Sequence, residues 1–316
     1  MKKRIFILVV FALGFISMAA IAQESNRISL AGEWRFQADP SDQGIARKWY
    51  TGTLKETIHL PGSMTTNGKG DDISLHTPWT GEIVDSSYFF QPQYAPYRVA
   101  GNIKVPFWLQ PVKYYKGAAW YQKSVVVPAS WAKQHLELFI ERSHWETTVW
   151  IDDKWVGMKN SLATAQVFDL SRYLTPGTHQ VTIRVDNRVK DINVGMNAHS
   201  ITDHTQTNWN GMVGALFISA KPRLFISDVQ LYPDVANKNV HVKVLIKNTT
   251  GARINTSIRL NTLLRHPAAA KGKLLVKHIT VPADSLLFET DYSMGDNPLL
   301  WDEFHPNVYT METRLQ

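Results

Sequence analysis

The sequence predicts an all-β protein made of two antiparallel sandwiches in tandem. Three observations carry that prediction. Apolar residues recur mostly at period two, the spacing that turns one face of a strand inward. Turn residues interrupt them about every ten positions, and nothing alternates strands with long helices in the βαβ rhythm of a parallel sheet.

The chain opens on a leader. Lys2, Lys3 and Arg4 precede an apolar run from Ile5 to Ile16, and Ala20-Ile21-Ala22 supplies the small-x-small pattern that signal peptidase reads. Residues 1–22 are expected to be a signal peptide cleaved before Gln23, giving an exported protein, periplasmic or extracellular. A retained membrane anchor is the weaker reading, because the run falls short of the roughly 20 residues that span a bilayer. No later segment reads as membrane-spanning, so no membrane partner is expected after cleavage.

Strands follow. In "HLELFIE" Leu136, Leu138 and Ile140 share one face, with His135, Glu137, Phe139 and Glu141 on the other. "TTVWIDDKWVGM" reads as a hairpin, with Asp152-Asp153 at the turn. Pro176-Gly177 marks another turn before "HQVTIRVDN", whose Val181, Ile183 and Val185 are expected inward and whose Thr182, Arg184 and Asp186 are expected outward. Helix signals are short: "ASWAKQ" at 129–134, and "DLSRYL", where Asp169 is positioned to cap one turn. Between Ile73 and Lys116 the pattern fails. Pro78, Pro92, Pro96, Pro106 and Pro111 break any regular strand there, while dense aromatics argue against disorder, so 73–116 is expected to be a long ordered loop.

A change of texture at "SAKPRLFISDVQLYPD" separates the two halves. Trp and Tyr become rarer after the Lys221-Pro222 step, and a new alternation begins with Leu224, Ile226, Val229 and Leu231. "NVHVKVLIKNTTGARINTSIRL" reads as two strands joined by Asn248 to Gly251, as in a small immunoglobulin-like sandwich. Domains are therefore expected over 25–221 and 222–316. At the end, Val308, Thr310, Glu312 and Arg314 alternate with Tyr309, Met311, Thr313 and Leu315 in a closing strand.

Composition excludes several function classes. With no cysteine there is no disulfide, thiolate metal site or cysteine nucleophile, so core packing must hold both domains. Of the formal charge of +7, three positives belong to the leader, which leaves +4 (7 − 3) and no block of five like charges. That is not the footprint of a nucleic-acid-binding protein.

The runs "GAAWYQKSVVVP" (117–128), "LELFIERSHWETTVWIDDKWVG" (136–157), "VFDLSRYLTPGTHQVTIRVDNR" (167–188) and "WNGMVGALFI" (209–218) resemble, in the same order, the N-terminal jelly-roll (galactose-binding-like) domain of family 2 glycoside hydrolases, the β-galactosidase and β-glucuronidase family. The tail "NPLLWDEFHPNVYTMETRL" resembles the closing strands of that family's immunoglobulin-like domain, with Trp301, Pro306 and Tyr309 on its Trp-x-x-x-x-Pro-x-x-Tyr pattern. The resemblance implies a jelly roll followed by an immunoglobulin-like sandwich. It also implies a third domain, a (β/α)8 barrel carrying both catalytic glutamates, which these residues do not include. Two departures stand out. The hairpin turn, usually Asn-Gly, is Asp152-Asp153, and the 73–116 insertion is longer than in the best-known members. Where members often place an acidic residue or Asn against the sugar, this chain has "TDHTQTNWNG", with Thr207 or Asn208 nearest that position.

A retaining glycosidase needs two carboxyl groups about 5 Å apart, one to protonate the leaving oxygen and one to attack the anomeric carbon. In the family the acid/base sits in an Asn-Glu pair, and no such dipeptide occurs here. Glu137, Glu141, Asp152, Asp153 and Asp186 read as solvated or turn residues. Glu141-Arg142 with His144 and Glu146 reads as a structural ion-pair cluster at a strand end. His199, Asp203 and His204 match no familiar metal-ligand spacing, and no cofactor motif is present. No catalytic residue, metal or cofactor is therefore assigned.

The eleven tryptophans divide by context. Trp34, Trp120 and Trp150 lie in strand patterns and are expected in cores. Trp79, Tyr97, Trp108 and Trp209 lie in loops, where stacking on a sugar's C–H face and plain domain packing remain open. With Asp203, Thr207, Asn208 and Asn210 they form the candidate rim of a sugar site. The expected function is the non-catalytic N-terminal portion of an exported β-glycosidase, with a β-linked oligo- or polysaccharide and a barrel domain as partners. The alternative is a stand-alone carbohydrate-binding or adhesion protein.

Overall fold

The structure, a computed structural model, describes residues 26–190, 193–265 and 272–316. The expected signal peptide lies outside them. The architecture is all-β, as the period-two pattern predicts.

The first sandwich is a jelly roll of two antiparallel sheets. One contains β1 (Arg27–Ser29), β11 (Gly211–Lys221), β6 (His135–Ser143) and β9 (Gln166–Asp169) in that order, with the short β4 (Gly62–Ser63) also on β11. The other is ordered β3 (Glu56–Leu60), β2 (Gly32–Asp39), β5 (Ala118–Val127), β10 (Gly177–Asp186), β7 (Glu146–Ile151) and β8 (Lys154–Asn160). Their facing sides enclose Trp34, Phe36, Tyr121, Leu138, Ile140 and Ile183, all buried. Leu136, Leu138 and Ile140 fall on this face, as their alternation predicts. Asp152, with φ of 55°, makes the β7–β8 turn. Asp169 accepts hydrogen bonds from the Ser171 backbone N–H (2.9 Å) and hydroxyl (2.6 Å), capping a single turn rather than a helix.

One reading of strand faces needs correction. Thr182, Arg184 and Asp186 do not face solvent: they are 0%, 3% and 0% exposed. The outer side of the six-stranded sheet is roofed by the segment after β2. There Trp120 and Trp150 stack at 5.1 Å, and Tyr50 stacks on Trp150 at 5.2 Å. Gln122 ties the roof down: its Nε2 donates to the Trp49 and Gly52 carbonyls (3.1 Å each) and its Oε1 accepts from Leu54 N (3.0 Å). A central strand covered on both sides loses its polar alternation.

Residues 73–116 contain no strand. They are folded into short helical turns at Thr80–Glu82, Ser87–Phe90 and Pro92–Tyr97 around a small core of Trp79, Val105, Phe107 and Tyr114, and an Asp71–Tyr114 bridge closes their base.

The second sandwich pairs two three-stranded sheets. In one, β13 (Asn239–Asn248) lies between β12 (Leu224–Asp234) and β16 (Ser285–Ser293); in the other, β14 (Ile254–Leu264) lies between β15 (Leu275–Val281) and β17 (Tyr309–Leu315). Val242, Val244, Ile246, Ile258 and Leu260 fill the core. The link after Asn248 crosses between the sheets, and the Asn248 amide fixes it by donating to the Ala252 carbonyl at 2.8 Å. Trp301 bridges to Pro306, and the Tyr309 hydroxyl accepts from Leu299 N at 2.9 Å, so the Trp–Pro–Tyr pattern is one folded turn. Between the β12 and β17 edges the sandwich mouth stays open as an apolar groove of about 390 Å³, lined among others by Leu231, Val235, Trp301 and Val308. At the junction of the two sandwiches, His135 stacks on Phe225 at 4.9 Å and Lys221 pairs with Glu137.

Gly211 is a tight point beside the candidate site. Its φ is +141°, and a Cβ there would lie 2.5 Å from the Gly62 carbonyl oxygen. Gly211→Ala is therefore expected to cost about 2 kcal/mol in urea unfolding, through the β4–β11 contact.

Candidate functional site

The site forms where the segment before β11 meets the 73–116 insertion. Asn210 is fully buried: its Nδ2 donates to the Gly117 (3.1 Å) and Val185 (3.0 Å) carbonyls, and its Oδ1 accepts from the Tyr121 hydroxyl (2.7 Å). Asn187, which the sequence reading did not single out, is a second clamp. Its Oδ1 accepts from Gly117 N at 2.8 Å, and its Nδ2 donates to the carbonyls of Tyr115 (2.8 Å) and Trp209 (3.0 Å). Asn208, also buried, donates from Nδ2 to the Asn187 carbonyl at 3.3 Å. Thr207 donates its hydroxyl to the Leu109 carbonyl, stitching this segment to the insertion.

Asp203 is a crosslink rather than an exposed contact. It is 1% exposed; its carboxylate accepts from Thr80 N (2.7 Å), the Tyr114 hydroxyl (3.2 Å) and Asn208 N (3.3 Å), and its carbonyl accepts from Trp108 N (2.9 Å). Burial raises its pKa above the usual carboxylate value, against the hydrogen bonds from Thr80 and Asn208 that favour the charged form. Burial likewise pushes the Tyr114 phenol up, with the Asp203 charge adding to it. Trp79 is buried, packed edge-on against Phe107 at 4.8 Å and tilted against His204 at 5.3 Å. It serves the insertion's core.

Trp209 is half-buried and held from two sides. The His144 ring stacks on it at 4.7 Å with 23° between planes, and His144 Nδ1–H donates to the Trp209 carbonyl at 2.8 Å. Because the acceptor is a carbonyl, Nδ1 carries the proton. Burial drops the His144 pKa to about 4, against hydrogen bonds to the Trp209 and Ser200 backbone, so the ring is neutral at pH 7.

Beside Trp209 opens a cleft of about 540 Å³, within the span of about 300–1,000 Å³ typical of small-molecule sites. Leu109, Gln110, Pro111 and Val112 of the insertion make one wall, and Gln206, Thr207, Asn208 and Trp209 another. Ser63, Thr65 and Thr66 close the third side. Trp108, 72% exposed, stands next in sequence to this wall, whereas Tyr97, 39% exposed, lies elsewhere on the insertion. The structure thus brings Thr207, Asn208 and Trp209 to one cleft and places Asp203, Asn210 and Trp79 behind it.

The expected cluster of Glu141, Arg142, His144 and Glu146 does not exist as an ion-pair group. Glu141 accepts from Ala215 N (2.6 Å), Glu146 pairs with Arg184 (3.3 Å) and Lys190 (2.8 Å), and His144 serves Trp209. A β-bulge between Val213 and Leu216 on β11, paired with β6, and the turn into β7 send these neighbours in different directions. No group of three His, Asp or Glu side chains with metal-binding geometry occurs among the described residues.

Two family models match the chain in succession: the sugar binding domain of glycosyl hydrolases family 2 over residues 82–222, and a further domain of the same family over 224–316. The chain belongs to glycosyl hydrolase family 2. Similar curated proteins include a β-glucuronidase of Paenibacillus borealis, 23% identical over 225 residues that make up 66% of this chain and 32% of the relative. A β-galactosidase of Arthrobacter sp. (strain B7) is 24% identical over 51% of this chain and 16% of its own length. Among solved structures, a Bacteroides uniformis β-glucuronidase aligns with a TM-score of 0.64 at 16% identity, over 92% of this chain and 30% of that one. The Ruminococcus gnavus β-glucuronidase aligns with a TM-score of 0.56 at 16% identity, over 92% of this chain and 42% of that one. These likenesses carry the fold. The chain spans about a third of the length of the β-glucuronidase relative and less of the β-galactosidase.

Proposed function

We propose that this chain is the non-catalytic N-terminal portion of an exported family 2 β-glycosidase acting on β-linked glycosides. Its jelly roll presents the Trp209 cleft to the sugar, and its second sandwich is a spacer that packs against a catalytic barrel. The carrying observation is the state of the carboxylates. Among the described residues none lines the cleft, Asp203 is sealed beneath it, and Glu141 is occupied by a backbone N–H. A retaining mechanism requires two facing carboxyl groups about 5 Å apart, and this cleft supplies no such pair. The apolar mouth between β12 and β17, where Leu231, Val235, Leu300, Trp301 and Val308 all stand exposed, supports a protein neighbour there. Export rests on the leader pattern at 1–22. The relatives' names include both β-glucuronidase and β-galactosidase.

The purified protein is expected to show no turnover of nitrophenyl β-galactoside or β-glucuronide above the buffer rate. Measurable hydrolysis that persists through repurification would overturn the non-catalytic assignment.

A further inference from the structure

We infer that the outer face of the second sandwich binds a carboxylate-bearing sugar residue, the repeating unit of an acidic polysaccharide. This adds a ligand to the sandwich read above as a spacer, and it does not depend on the Trp209 cleft.

Ile258 and Leu260 of β14 point into the core, so Arg259 and Asn261 fall on the opposite side of the β15–β14–β17 sheet. In the β14–β17 register Arg259 lies opposite Arg314, and Asn261 lies opposite Glu312. Like charges directly opposite one another destabilise a strand pair. The protein compensates them only in part: Glu312 reaches Arg314 at 3.5 Å, and among the described residues no carboxylate pairs with the half-buried Arg259. Arg259, Arg314 and Glu312 together keep a formal charge of +1 (2 − 1).

Over these side chains lies a shallow pocket of about 440 Å³, lined among others by Arg259, Asn261, Leu274, Glu312, Arg314 and Gln316. A guanidinium fork matches a carboxylate, so a ligand with one negative charge balances the site. Two residues along the strands, about 7 Å on at the strand rise, the chemistry reverses. There Glu312 offers acceptors, and the Asn261 Oδ1 is buried without a donor. Turning that amide to meet a ligand hydroxyl relieves it. A carboxylate with hydroxyls one sugar ring away is the pattern of a uronic acid residue, and Leu274, 47% exposed, offers an apolar contact to its C–H face. A second depression of about 440 Å³ on the same face shares Gln316 and continues past Ser257 and His278, which gives a chain of such residues room to run.

Trigalacturonic acid is the probe, and its trimethyl ester, which keeps every ring and removes the charges, is the comparison. NMR chemical-shift titration of the full chain at pH 7 is expected to show the acid binding at least about ten-fold more tightly than the ester, and more weakly as salt is added. Arg259→Gln is expected to lose at least about ten-fold in affinity for the acid. Arg253→Gln removes the same charge from an exposed position before β14 and is expected to leave binding unchanged. Urea unfolding checks both folds, and Arg259→Gln is expected to be no less stable than the parent, since it removes a like-charge pair. Equal losses in the two variants would mean unspecific attraction to a basic surface and overturn the site. Equal binding of the ester would overturn the role of the carboxylate. Hexaglutamate binding through Arg259 as tightly as the trimer would overturn the sugar and make the face a site for acidic polypeptide. Binding of neither would remove the site, while the non-catalytic assignment stands on its own turnover assay.

Discussion

Asp186→Ala is expected to remove about 3–5 kcal/mol of stability, the usual cost of stripping one partner from a buried ion network. Asp186 is fully buried at the end of β10, and it sits among three cations: Arg184 at 2.8 Å, Arg188 at 2.6 Å and Lys190 at 2.9 Å. Asp42 from the roof and Glu146 from β7 bring the carboxylates to three as well, so the network is balanced. Arg184 is 3% exposed, and without Asp186 its charge would keep only Asp42 at 2.7 Å and Glu146 at 3.3 Å. Asp42→Ala removes a carboxylate about a third exposed, where solvent screens the pair, and is expected to cost only about 1 kcal/mol. Chemical denaturation of the two variants measures the contrast; equal losses would mean that burial does not set the strength of this network. The network also has an acid limb. Burial raises the Asp186 pKa, but hydrogen bonds from Arg188 and Lys190 outweigh it and hold the carboxyl well below the usual range. Its contribution is therefore complete above the unfolded carboxylate value and is lost only as pH falls through the lower folded one.

That network shows where a sequence reading fails. Leu136, Leu138 and Ile140 were legible because β6 has one face on the core, so burial follows the pleat. Arg184 and Asp186 were not, because the segment that covers their side of the sheet, which sets Asp42 against Arg184 and Trp49, Tyr50 and Leu54 against Trp120 and Trp150, comes from far earlier in the chain and carries no strand pattern. A polar residue on the second face of a central strand has the same spacing whether water or another layer lies over it. The cleft was legible only in part. Thr207, Asn208 and Trp209 were reached through the family resemblance, whereas Ser63, Thr65, Thr66, Leu109 and Val112 come from two other loops that only the folded chain brings together. Trp79 and Trp108 look alike as loop tryptophans, yet one is 6% and the other 72% exposed, because Pro-broken segments fold around their own small core. The density of aromatics in 73–116 was the available signal for that core, but it does not say which ring turns inward.

His144 should make the Trp209 platform sensitive to acid. An unfolded histidine takes up its proton near pH 6.5, whereas the buried His144 resists until about pH 4. Between those values the unfolded chain binds the extra proton and the folded chain does not, so stability falls as pH drops from about 6.5 toward 4 and is complete above that window. The displacement corresponds to about 3 kcal/mol at its acid end. The physical event is specific: the ring lies 3% exposed against Trp209, and a charge there has the Arg142 cation nearby and little water. His144→Asn keeps a polar side chain of similar reach but cannot titrate. Urea unfolding between pH 4 and 7 is therefore expected to show a shallower pH dependence in the variant than in the parent, by most of those 3 kcal/mol across the window, whatever the variant's stability at pH 7. Parallel curves for the two proteins would mean that His144 already charges in the folded state, and that the clasp on Trp209 is not the neutral one its burial implies.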